Sequence, residues 1–398
     1  MKAVGVIVEY NPFHNGHKYH LERAKETSGA SIVIAVMSGN FLQRGEPALL
    51  SKWARTEMAL LGGVDLVFEL PYRFATQNAD IFAGGAVSIL EAARCDSLCF
   101  GSESGDLQTF TNTLSFLDEN EESFHKSVKE YSGQGVSYPK AVSLSFDSLA
   151  DNNQLLDLTK PNNSLGLQYV SAIKKQQASI KAMTITRKNA QYHDDQFSSN
   201  TIASATSIRK ALFTNVSGVH SYLPHTSYHL LLKYKKDYGQ FHSWENYWPL
   251  LRYKLLQCQR NELKEYHEVE EGIENRLFNA AIHADSFQTF MKIVKTKRYT
   301  WTRLQRVCLH LLMNIKREEM IKTEKADYLR LLGMTKAGRE YLHMNKNHFT
   351  LPVISKVSAN SDLLELDIRA SRMYSLGLPI EKQNELLKLE FSQPPIYI

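Results

Sequence analysis

Ala3 to Tyr10 is an apolar, largely β-branched run that breaks at Asn11-Pro12 and passes through His14-Asn15-Gly16-His17 into a helix whose pattern starts near Lys18. A strand that delivers a turn and then a helix opens a βα unit, which restricts the chain to folds whose helices cross over a parallel sheet. The next strand candidates, Ser31 to Met37, Val64 to Leu70, Ser97 to Phe100 and Ser179 to Ile185, are each separated by enough chain for a crossover helix. Helical spacing covers Asp106 to Tyr131, Pro139 to Leu149 and Asn163 to Gln176. The expectation is an α/β fold built on a doubly wound parallel sheet.

After about Leu212 the strand signals fade. Leu250 to Glu271, Glu274 to Ala284, Thr300 to Glu319 and Ala326 to Leu332 all carry helical spacing. Residues 1–215 are therefore expected to form the α/β catalytic domain and 216–398 a mostly helical one, with the junction near Phe213 to His220. With 43% hydrophobic residues, 11 Pro and 20 Gly in 398, the chain can bury a large core, which excludes disordered and fibrous classes. No apolar run approaches the ~18 residues that span a bilayer, and Glu9 interrupts the start before a secretory segment develops. A cytoplasmic protein with no membrane partner is expected. Cys95, Cys99, Cys258 and Cys308 are too scattered for a disulfide framework or a zinc site and read as reduced thiols.

Charge divides the chain as pattern does. Residues 1–200 carry 18 Lys+Arg against 22 Asp+Glu, and residues 201–398 carry 29 against 20. A basic second half suits a polyanion such as nucleic acid, although surface lysines added for solubility give the same total.

The chemistry concentrates where the first strand ends. In an open parallel sheet, ligands bind beyond the carboxyl ends of the strands, where helix N-termini favour anions. His14 and His17 fall where a phosphate would lie, and Gly16 between them would let the backbone approach a nucleotide. With 14 His and 20 Gly in the chain, chance supplies only about 0.02 His-x-Gly-His matches. Two structural histidines, or a metal-binding pair, are the competing readings.

This constellation resembles the nucleotidyltransferase superfamily named for its His-x-Gly-His motif. That superfamily's second signature, Ile-Ser-Ser-Thr-x-Ile-Arg, is approximated by Ala203-Ser-Ala-Thr-Ser-Ile-Arg209, which keeps Thr206 and Arg209 but replaces the first Ile and the second Ser by Ala. A closer resemblance rests on five stretches. Val8-Glu-Tyr-Asn-Pro-Phe-His-Asn-Gly-His17, Met37-Ser-Gly-Asn-Phe-Leu-Gln-Arg-Gly-Glu-Pro-Ala48, Phe100-Gly-Ser-Glu103, Lys160-Pro-Asn-Asn-Ser-Leu-Gly166 and Thr296-Lys-Arg-Tyr-Thr-Trp-Thr-Arg303 together resemble the bacterial tRNA(Met) cytidine acetate ligase family across nearly the whole chain.

The resemblance implies a nucleotidyltransferase-like Rossmann variant. Its activity would be an enzyme that makes acetyl adenylate from acetate and ATP and transfers the acetyl group to N4 of the wobble cytidine of elongator tRNA(Met). His14 and His17 would be catalytic, as clamps on phosphate oxygens. The ATP site would comprise Ile7, Val8, Glu9, Tyr10, Asn11, Pro12, Phe13, His14, Asn15, Gly16, His17, Lys18, Tyr19 and His20, together with Gly101, Asn162, Arg187, Thr206 and Arg209. Gly101 would admit a base or ribose, Asn162 would pair with an adenine edge, and Arg187 would offer a fork to phosphate. For Asn162 and Asn163, a helix cap after Pro161 is the competing reading. Magnesium would travel with ATP, with no dedicated protein metal site.

Ser38 to Arg55 reads as a functional loop at the carboxyl edge of the sheet, punctuated by Arg44, Glu46, Lys52 and Arg55, and Arg44 could bind acetate or tRNA phosphate. Lys292, Lys295, Lys297, Arg298, Arg303 and Arg306 cluster around Tyr299 and Trp301, a pattern suited to neutralising phosphates and stacking on an unpaired base. Lys297, Arg298, Tyr299, Trp301 and Arg303 are accordingly expected to contact tRNA. The competing reading is a solvated helix face with its aromatics in the core, and the acidic run Glu268 to Glu274 reads as a solvated helix surface. Two other functions stay open: a small-molecule adenylyltransferase, and a tRNA-binding protein without catalysis.

Overall fold

Among the described residues, eight strands make one mixed sheet: β1 (Ala3–Val8), β2 (Ile32–Ser38), β3 (Leu66–Leu70), β4 (Ser97–Ser102), β5 (Lys181–Thr186), β6 (Leu329–Met334), β7 (Val353–Ile354) and β8 (Ile396–Tyr397). The computed structural model describes residues 1–149, 154–187, 202–214, 216–320 and 324–398. The order is β5-β4-β1-β2-β3-β6-β7, with β8 also on β6; β1 to β5 run parallel and β6 returns antiparallel to β3. Alternation along β2 shows why both faces are covered. Ile32, Ile34 and Val36 join Phe82, Ala86 and Leu167 in one core, while Val33, Ala35 and Met37 join Leu21, Ala24, Met58 and Leu60 in the other. Helices Asn15–Ser28 and Lys52–Leu61 thus lie on one face, with Ala79–Ala92 and Pro161–Lys175 on the opposite one.

The winding direction reverses between β1 and β4. These two strands pair only at Val4↔Ser97 and Gly5↔Leu98, although β1 pairs with β2 along its full length to Val8↔Met37. The carboxyl ends of β1 and β4 therefore part, opening a crevice at the switch point, where ligands of open α/β sheets bind.

A separate core of Trp244, Tyr247, Leu251, Phe290, Leu304 and Val307 holds helices Trp244–Gln257, Phe287–Val294 and Trp301–Leu312 together. The second half is not helical throughout, however. The expected helix Ala326 to Leu332 is in fact β6, a short apolar run buried on both faces, where periodicity does not separate strand from helix. Asp106 to Tyr131 divides into Leu107–Glu119 and Glu121–Gly133, and Leu250 to Glu271 stops as a helix at Gln257. All four cysteines are buried free thiols.

Candidate active site

The turn after β1 is held from three sides. Tyr10 takes a left-handed φ of 47° and the Asn11-Pro12 peptide is cis. The Asn11 side chain accepts the Leu49 N–H at 2.7 Å, and its carbonyl accepts from Arg209 at 3.0 Å. The Arg55 guanidinium, fully buried, donates to the carbonyls of Glu9, Ser38, Gly39 and Leu50. Arg55 is thus a pin for the loop rather than a ligand group, and Lys52 likewise lies in the interior between Glu69 and Glu390.

The helix begins at Asn15, three residues before its expected start, because His14 is its N-cap. His14 Nδ1 accepts the Gly16 N–H at 3.0 Å, and His17 Nδ1 accepts the His14 N–H at 3.3 Å, closing a capping box built from two imidazoles. The rings stack with centroids 3.7 Å apart, and Tyr10 and Phe13 meet the His17 ring edge-on and tilted at 4.9 and 5.8 Å. Gly16 serves this arrangement directly, since a Cβ there would lie 2.9 Å from His14 Cε1. With each Nδ1 occupied as an acceptor, the neutral rings carry their proton on Nε2 and present N–H donors. Burial first, then the charges of Arg187 and Arg209, lowers His14 to about 3. Burial, then His14, Arg187 and His20, holds His17 well below the usual histidine range. His20 falls to about 4 through burial and Arg187, against a bond to the Cys99 backbone, and its Nε2 is enclosed with no hydrogen-bond partner among the described residues.

These rings border a cavity of about 320 Å³ in the crevice. Of the expected ATP residues, Ile7, Val8, Glu9, His14, Gly16, His17, Tyr19, His20, Gly101, Asn162, Arg187, Thr206 and Arg209 line it, as does Arg44. Tyr10, Asn11, Pro12 and Phe13 are buried behind it and shape the turn, Asn15 reaches Ser221 O at 3.0 Å, and Lys18 is exposed. A Cβ at Gly101 would come within 3.2 Å of Arg187 Cγ, so this glycine makes room for the arginine stem. Asn162 donates to Glu103 at 2.6 Å and accepts weakly from Arg187 at 3.4 Å. The Glu103 carboxylate, not an asparagine, receives the N–H groups that open the helix Pro161–Lys175, and Asn163 accepts from Glu103 N and Ser104 N. Ser204 caps the helix Ala205–Phe213 while Thr206 faces the cavity.

Gln43, Phe82, Phe100, Leu165, Tyr169 and Ile185 also line the cavity and went unassigned in the sequence. Gln43 lies in the loop singled out above; the rest sit at apolar positions whose spacing reads as core. Glu9 Oε1 accepts the Gln43 N–H at 2.9 Å, and burial raises its carboxyl above the usual range. Among the described residues no three His, Cys, Asp or Glu side chains gather to hold a metal ion.

The basic segment lies outside the cavity lining, and its three arginines are neutralised. Arg306 forks onto Glu268, Arg303 meets Glu270 at 2.9 Å, and Arg298 approaches Glu271 at 3.6 Å. Glu268 to Glu271 is thus the counter-charge of this cluster, not a solvated helix face, with Glu268 and Glu271 at φ 61° and 54°. Tyr299 is buried, donates to the Glu270 carbonyl at 2.8 Å and lies beneath Arg303, so its ring is a packing element; Trp301 and Lys297 are exposed.

The HIGH Nucleotidyl Transferase family matches residues 1–388. Proteins named tRNA(Met) cytidine acetate ligase from Geobacillus sp. (strain WCH70) and Bacillus subtilis (strain 168) are 48% and 47% identical, covering all of this chain and 100% and 97% of their own. The crystal structure of Thermotoga maritima TmcAL superposes with a TM-score of 0.93 at 34% identity over the whole of both chains, and the same protein bound with alpha-thio ATP gives 0.91. The chain belongs to the HIGH nucleotidyl transferases and, among them, to the tRNA(Met) cytidine acetate ligase family.

Proposed function

We propose that this chain is an ATP-dependent ligase that forms acetyl adenylate from acetate and ATP, and transfers the acetyl group to N4 of the wobble cytidine of elongator tRNA(Met), giving N4-acetylcytidine. The observation that carries the reading is the pair of Nε2–H donors at the switch-point crevice, flanked by Arg187 and Arg209. Attack of an acetate oxygen on the α-phosphorus builds charge on phosphate oxygens, and neutral, preorganised N–H donors stabilise it without releasing a proton. The adenosine would lie between β4 and the helix Pro161–Lys175, near Gly101 and Asn162, with Arg187, Thr206 and Arg209 on the phosphates. Arg44, from the loop after β2, would face the acetate. Magnesium would enter on the triphosphate, whose direct partners would be the arginines and imidazoles of the cavity wall.

Residues 1–215 would carry the nucleotide chemistry and 216–398 the tRNA contacts in a cytoplasmic enzyme; the excess positive charge of the second half supports this division. The test is incubation with labelled acetate, ATP and unmodified elongator tRNA(Met). Acetate-dependent exchange of pyrophosphate into ATP and mass-resolved N4-acetylcytidine are expected. Exchange dependent on some other acid, without acetylated cytidine, would sink the reading.

A further inference from the structure

Acyl transfer to an exocyclic amine leaves a proton that must be removed. The cytosine nitrogen is conjugated with its ring and weakly nucleophilic, so its N–H proton has to depart during or just after attack. The motif histidines do not accept it, because their Nδ1 atoms are engaged by backbone N–H groups and their Nε2 atoms already carry hydrogen. His20 also borders the cavity, but its Nε2 is enclosed, so an incoming nucleobase does not reach that atom. Glu46 is paired with Arg209 at 3.4 Å. Among the described residues Glu9 remains: it directly follows β1 on the cavity wall, and one oxygen is fixed by the Gln43 N–H at 2.9 Å.

We propose that Glu9 is the catalytic base of the transfer step, a role that rests on the acetyl adenylate reading above. The N4 lone pair forms the C–N bond at the acetyl carbonyl. The bond from that carbon to the phosphoryl oxygen breaks, and its electron pair leaves with AMP. The N–H proton passes to the free carboxylate oxygen of Glu9 and then to solvent. The setting suits the task. Burial raises the Glu9 carboxyl and Glu46 adds to this, while the Gln43 N–H, Arg44 and Arg209 oppose it; Arg55 from the helix Lys52–Leu61 and Tyr169 from Pro161–Lys175 also face the group. A carboxylate made more basic than usual is a better proton acceptor.

The experiment compares two readouts in the full-length protein: acetate-dependent ATP–pyrophosphate exchange, and single-turnover transfer to unmodified elongator tRNA(Met) after acetyl adenylate has formed in place. For Glu9→Gln the ratio of transfer to exchange is expected to fall about 10²- to 10⁴-fold, with partial recovery in Glu9→Asp. Transfer and exchange falling in proportion, or a ratio unchanged from the parent, overturns the assignment. The parent alone gives a test independent of the folding of any variant. Its transfer rate should rise with pH along an acid limb displaced upward from the ordinary carboxylate range, and a transfer rate with no such limb refutes the proposal. A parent with no acetate-dependent exchange at all overturns the adenylate reading itself, and the base with it.

Discussion

At the scale of single residues, two backbone N–H groups set the protonation of the motif. The Gly16 N–H on His14 and the His14 N–H on His17 hold both rings as Nε2–H donors. His17→Ala removes the proposed phosphate donor and one arm of the capping box together. Exchange should drop about 10²- to 10³-fold while stability falls by only ~1 kcal/mol; full-strength exchange in a folded variant would contradict the clamp. His242 shows the same chemistry used for folding. Its Nδ1 meets Tyr247 Oη at 2.7 Å and its Nε2 meets Tyr234 Oη at 3.0 Å, its ring stacks on Tyr374, and burial lowers it to about 3. The unfolded chain takes up a proton near pH 6.5 that the folded one refuses, so this contribution is intact above that pH and is lost from there down toward pH 3, at up to ~1.4 kcal/mol per unit. Urea unfolding at descending pH should give His242→Gln a shallower loss than the parent, and parallel curves would disprove it. The His-x-Gly-His pair was legible because its chemistry is local, four consecutive residues between strand and helix. The role of Glu9 as a base and that of His242 were not, because the groups that define them lie far along the chain: Gln43 for the first, Tyr374 for the second.

At the scale of elements, the loop between β2 and the helix Lys52–Leu61 joins the crevice to the helical body. Gln43 touches Glu9 by its N–H and reaches the Gln77 carbonyl at 2.8 Å, Trp244 donates to the Gly45 carbonyl at 2.9 Å, and Glu46 meets Arg209. Gly45, at φ 73°, lies directly on the helix Trp301–Leu312, where a Cβ would sit 2.4 Å from Arg306 N. That neighbour is backbone and does not yield. Gly45→Ala should therefore displace Gln43 and Arg44, costing ~1–3 kcal/mol of stability and lowering exchange about 10- to 100-fold; parent-like unfolding and exchange would show that the loop repacks freely. The sequence marked this segment as functional, through its length and charges, but could not separate Arg44, which faces the cavity, from Lys52 and Arg55, which turn inward. The five parallel strands were readable from their β-branched runs between crossover helices. β6 was not, because Tyr328 to Met334 is short and, Arg330 apart, lacks a polar alternation, and it is β3, distant in sequence, that pairs with it.

At the scale of the whole molecule, the two ends of the chain are fastened through one buried ionic group. Lys52 lies 2.8 Å from Glu69 on β3 and 2.9 Å from Glu390 on the C-terminal helix Ile380–Ser392, while Arg330 on β6 approaches Glu390 at 3.6 Å. The helical body is thus held to the sheet at β6 and at the loop after β2, and a tRNA bound to that body, as proposed above, would be set in register with the crevice. How much of its surface meets phosphate is then a question of charge left unpaired. Arg298, Arg303 and Arg306 already face Glu271, Glu270 and Glu268, so a phosphate must displace a carboxylate to reach them. Lys297 is exposed beside them and forms no ion pair with the acidic run. Lys297→Ala should therefore lower the slope of log binding constant against log salt by about 0.7–0.9, the value for one released phosphate contact. Arg298→Ala should change it less, since its removal also frees Glu271 to repel the polyanion. Acetate-dependent exchange, which needs no tRNA, is expected to match the parent in both variants. Equal slopes for parent and Lys297→Ala, measured over the same salt range, would move the tRNA off this segment, whereas a larger change for Arg298→Ala would mean that the Glu271 pair opens when tRNA binds.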